Sequence, residues 1–166
     1  LEVASYQEGW GLYAERLADE MGLYSSPLQR IGMLCLDSLR AARLVVDTGI
    51  HAMGWTRAAA IEFLLTRTTM DRRNAETETD RYIAQPGQAT SYMIGRLEIE
   101  RLRRNAEQQL GAAFSIKQFH DVVLGNGMTP LYQLARNVEV WQDGVMGEGE
   151  TARRRRAGSR GKTATE

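Results

Sequence analysis

The chain has 166 residues, 43% hydrophobic and 25% charged, enough to bury one sizeable core but not two. It holds no run of eighteen or more apolar residues and no basic, apolar leader, so neither a membrane span nor a signal peptide is expected within it. Its first residue is Leu1 rather than Met, which reads as a fragment or a processed product. A lone Cys35 excludes an internal disulfide and any multi-cysteine metal knuckle. The formal net charge is zero, yet residues 151–166 carry six basic groups against Glu166 alone, so a basic tail follows a mildly acidic body.

Helical signals dominate from the start. Trp10, Tyr13, Leu17 and Met21 recur at helical steps and predict an amphipathic helix from Ser5 to about Met21, stopped by Gly22. Ser26 before Pro27 predicts a capped helix of about five or six turns, reaching the Gly49–Gly54 region. Thr56 caps a shorter helix through Leu65, and another runs from Asp71 to about Ile83 before the Pro86-Gly87 break.

Beyond that break, Ala89–Leu110 reads as a long charged helix ending at Gly111. Ser115 and Gln118 form a capping box for a short helix closed by Gly125, and Thr129-Pro130 starts one more that reaches about Trp141. The Gly-Glu-Gly-Glu stretch and the arginine run have nothing to bury. The expectation is an all-α multi-helix bundle over residues 1–142, with a disordered basic tail over 143–166.

Three places carry candidate chemistry. On the second helix Arg40, Arg43, Asp47 and His51 share an arc of about 80° at 100° per residue. Such a polar stripe is either a solvated face with Arg43 and Asp47 paired, or a cleft wall where Asp47 orients His51. On the first helix Glu8 sits among Tyr6, Gly9 and Trp10. It is either a first-turn glutamate facing water or a buried carboxylate that needs a metal or an arginine. The turn from Tyr82 to Gly95 places Gln88 and free backbone N–H groups near Tyr92, which is either a core tyrosine or an oxyanion donor.

Other chemistries are missing their residues. His51 and His120 are the only histidines and no His-Glu-x-x-His pair occurs, so a histidine-rich catalytic zinc site cannot assemble from this chain alone. There is no Gly-x-Ser-x-Gly elbow, no P-loop and no dinucleotide fingerprint. The acidic body without an aromatic-basic face argues against nucleic acid as a partner, although the Arg153–Arg156 run would attract phosphate.

Taken together, the stretches beginning at Glu8, Arg40 and Gln85, with Phe119-His-Asp and Pro130-Leu, resemble a bacterial domain-of-unknown-function family, DUF885, over about residues 1–141. That family looks like gluzincin zinc peptidases. The resemblance implies that Glu8 is the third ligand of a Zn2+ site, with the histidine motif supplied by an upstream half of the same polypeptide. Tyr92 lines up with the tyrosine that assists the tetrahedral intermediate in helical oligopeptidases and carboxypeptidases. His51 is then a second catalytic residue, and Arg43, Tyr82 and Gln88 bind the peptide substrate. The implied protein is a bacterial hydrolase of peptide bonds, cytoplasmic or exported, of which this piece alone is inert. The alternative is a non-catalytic helical domain that binds peptides or a partner protein.

Overall fold

The computed structural model of the chain describes residues 2–160; for Glu2, Glu150 and residues 152–160 it describes the backbone alone. The described residues are helical throughout, with no strand among them. They fall into two compact units that divide after Glu100.

The first unit holds α1 (Glu2–Glu20), α2 (Pro27–Met53), α3 (Arg57–Arg67), α4 (Arg72–Ala84) and the first half of α5 (Ser91–Leu110). Local side chains set where three of these begin. Ser26, Thr56 and Asp71 each accept the backbone N–H of the residue three further on, meeting one of the four amide donors that a helix start leaves unpaired. α2 is 27 residues long, well beyond the five or six turns read from sequence, because nothing breaks it before Gly54.

The core of this unit is built from successive turns of its helices. Ala42 and Val46 of α2 meet Ala60, Ile61 and Leu64 of α3, with Ala75 and Tyr82 of α4 and Ala89 closing the cluster. Small residues at these contacts let the helices approach closely, and Leu39, Ile50, Trp55 and Phe63 fill the margins. In α1 the buried side is Tyr6, Leu12 and Tyr13, whereas Met21, expected on that face, lies past the helix end and is exposed.

α1 and α5 touch through backbone. A Cβ placed on Gly95 would collide with the Ser5 carbonyl oxygen and the Gly9 Cα, and one placed on Gly9 would strike the Gly95 backbone. Only glycine at both positions permits that approach. Glu8 is the neighbour of Gly9 and Tyr92 lies three residues before Gly95, so the two candidate residues flank this crossing.

The second unit holds the remainder of α5, a 3-10 turn (Gly111–Ala113), α6 (Ile116–Gly125) and α7 (Leu131–Arg160). Ser115 caps α6 by accepting the Gln118 N–H, as the sequence predicts. α6 packs on α7 through Phe119, Val123, Leu134 and Val138, and Phe114 and Trp141 close an aromatic cluster over Phe119. α7 continues past Trp141 to Arg160, where disorder is expected from the sequence. Alanine, arginine and glutamate are good helix formers, and Thr151 turns its hydroxyl back onto the Gly147 carbonyl at 2.9 Å. The basic side chains of the tail and residues 161–166 lie outside what is described. No helix among the described residues is long and apolar enough to cross a membrane.

Candidate functional site

The polar stripe of α2 faces α4 and the turn that follows it. Arg43 donates its Nε to the Tyr82 hydroxyl at 2.9 Å and its Nη2 to Glu78 Oε2 at 2.7 Å. With a side chain only 12% exposed, it also lies over the Tyr92 ring, 5.1 Å from its centroid. Contact of a guanidinium with an aromatic face adds electrostatic attraction that water weakens little in so enclosed a place.

Asp47, one turn further along α2, is 3% exposed. Both its oxygens accept the Gly87 backbone N–H, each at 3.1 Å. This bond holds the Gln85–Thr90 turn against α2, and Gly87 meets it in the left-handed region at a φ of 80°. The sequence offers Asp47 as the group that orients His51. Instead, His51 Nε2 donates to the Tyr82 carbonyl at 3.0 Å, which leaves Nδ1 of this exposed ring as the acceptor in its neutral form.

Glu78 gathers the cluster. It accepts from Arg43, from the Tyr82 hydroxyl at 2.8 Å, and from Arg81 through Nη2 at 2.8 Å and Nε at 3.1 Å. Burial opposes its ionisation, but the hydrogen bonds from Arg81 and Tyr82 and the charges of both arginines outweigh that and bring its carboxyl down to about 2. Burial also pushes the Tyr82 phenol up to about 12; the Arg43 charge opposes this and the bond to Glu78 reinforces it. Arg81 holds Gln88 through Nη1 at 2.6 Å and stacks on Tyr82, 4.9 Å from the ring centroid.

The predicted residues Arg43, His51, Tyr82, Gln88 and Tyr92 thus meet in one assembly. Two of the five N–H donors of Arg43 are occupied, those of its Nε and Nη2 edge, which leaves Nη1 as the nitrogen with no hydrogen bond among the described residues. The Tyr92 phenol is half-buried and makes no hydrogen bond among the described residues. Glu8 is likewise half-buried, with no hydrogen bond or ion pair among them.

Glu78 and Arg81 are absent from the sequence reading. Their signal is there, since Glu78, Arg81 and Tyr82 sit at helical i, i+3 and i, i+4 spacing, but it is submerged in a helix charged nearly all round. For a metal, no group of three or more His, Cys, Asp and Glu side chains converges among the described residues. A catalytic zinc takes three protein ligands, so the described residues do not complete such a centre by themselves.

Residues 2–138 match the family described as "Bacterial protein of unknown function (DUF885)", and the chain belongs to that family. It is also similar to a solved structure, that of a putative lipoprotein from Colwellia psychrerythraea. The identity is 44% and the TM-score 0.83, over 85% of this chain and 24% of that one. The chain therefore spans about a quarter of the length of this relative. No curated protein matches it.

Proposed function

We propose that this chain is part of a larger helical zinc-dependent peptidase that hydrolyses peptide bonds, and that the Arg43–Tyr92 cluster forms one wall of its substrate cleft. The observation that carries the reading is convergence. Polar residues of α2 and of the turn some forty residues later assemble beside a half-buried tyrosine whose hydroxyl has no partner among the described residues. That hydroxyl is not among the buried unpartnered atoms, so it lies open to an incoming group.

Glu8 would hold the zinc as a single carboxylate ligand, and the two imidazoles would come from another part of a polypeptide as long as the solved relative. A zinc held there would supply the Lewis acidity that polarises a peptide carbonyl and eases deprotonation of a water. The chain's own residues then bind and orient. The Tyr92 hydroxyl donates to the oxygen of the tetrahedral intermediate. Arg43 Nη1 and His51 Nδ1 remain for the substrate backbone or a carboxylate, and Gln88, gripped by Arg81, offers its amide N–H₂ at the turn.

The test is hydrolysis of a mixed peptide library by the full-length polypeptide, with and without a chelator. Cleavage that the chelator abolishes and zinc restores supports the peptidase. Peptide binding without cleavage makes it a binding domain instead.

A further inference from the structure

We infer that Glu78 is a positioning residue, whose negative charge stations Arg43 against the face of Tyr92. The consequence for catalysis rests on the peptidase reading; the coupling of the two side chains does not. Four hydrogen bonds from three residues end on this one carboxylate, and the Arg43 bond at 2.7 Å is the shortest of them. Arg43 and Arg81 both donate Nη2 to its Oε2, and both lie over the Tyr82 ring, at 5.9 Å and 4.9 Å from its centroid.

Two guanidinium groups this close repel unless an anion sits between them. With Glu78 charged, the Nε and Nη2 edge of Arg43 is fixed by Tyr82 and Glu78, which leaves its flat face on Tyr92. With that charge removed, Arg43 is left with the Tyr82 hydroxyl alone and is pushed off by Arg81. The tyrosine then loses the cation that borders its ring. Neither Glu78 nor Arg81 touches a reacting atom in this scheme; each acts through its neighbour.

The experiment places 3-fluorotyrosine at position 92 of the full-length polypeptide and reads its 19F resonance in wild type, Glu78→Gln, Arg43→Gln and the double variant. Melting curves confirm that each is folded. The expected result is a displaced resonance in Glu78→Gln, with the double variant matching Arg43→Gln alone, because both changes remove the same contact. A shorter carboxylate must draw Arg43 with it, so Glu78→Asp should displace the resonance by an intermediate amount, and it carries the test if Glu78→Gln does not fold. A resonance at the wild-type position in either folded variant, or additive displacements in the double variant, overturns the inference. If the wild type cleaves peptide, kcat/KM should fall by about ten- to a hundredfold in Glu78→Gln, with KM raised because Arg43 also meets the substrate, and partly recover in Glu78→Asp. If the wild type cleaves nothing, the peptidase reading fails while the resonances still decide the role of Glu78.

Discussion

Asp47 on α2 holds the backbone N–H of Gly87 with both carboxylate oxygens, across forty residues of chain and at 3.1 Å to each. Through this bond the second helix sets the turn that opens α5, and so the station of Tyr92. Asp47→Ala removes the acceptor and strands the amide, at an expected cost of about 1–3 kcal/mol. Hydrogen exchange at Gly87 checks it. The amide should be protected in the wild type and exchange much faster in the variant; equal rates would show that the turn holds without Asp47.

The glycine crossing makes a second prediction. Gly95→Ala forces a methyl group into the Ser5 carbonyl and the Gly9 Cα, so α1 and α5 must part. The expected destabilisation is about 1–3 kcal/mol, the range for overpacking a close contact. Gly11, in the same α1 helix, has open space where its Cβ would go. Gly11→Ala should therefore stabilise by up to about 1 kcal/mol. Urea unfolding of the two variants should give midpoints shifted in opposite directions.

Acid should weaken the cluster in a defined window. The Glu78 carboxyl sits at about 2 in the folded chain against an ordinary value of 4.5. Because the folded value is the lower one, its stabilising contribution is complete above about 4.5 and is lost as pH falls from there through about 2. Melting temperatures measured down this range should fall less steeply for Glu78→Gln than for the wild type. Parallel profiles would remove Glu78 as the source.

Removing the Tyr92 hydroxyl tests its proposed chemistry. Tyr92→Phe keeps the ring under Arg43 and takes away only a group that bonds to nothing described. Stability should therefore hardly change, while kcat of the full-length polypeptide should fall by about a hundred- to a thousandfold, the scale for a lost oxyanion donor. Unchanged turnover would make Tyr92 a packing residue.

Much of the fold is legible because its punctuation is local. Ser26, Thr56, Asp71 and Ser115 cap the helices that the sequence assigns to them, each by a bond to an amide three residues on. The continuation of α7 to Arg160 is not legible, since the Gly-Glu-Gly-Glu stretch and the arginine run offer nothing to bury. The α2 stripe was legible as a stripe, because helical period alone puts Arg43, Asp47 and His51 on one side. What each residue binds was not. The partner of Asp47 is a backbone amide and that of His51 a backbone carbonyl, neither of which has a side-chain signature. Glu78 stayed hidden because a charged residue on a charged helix looks solvated until α2 is laid against it.

The proposed role of Glu8 as a metal ligand is read most plainly from zinc content. Full-length wild-type and Glu8→Gln polypeptides, purified side by side, are compared by elemental analysis after dialysis against metal-free buffer. About one zinc per chain in the wild type, largely lost in Glu8→Gln with the fold intact, is the predicted result. Equal zinc in both, or none in either, contradicts it.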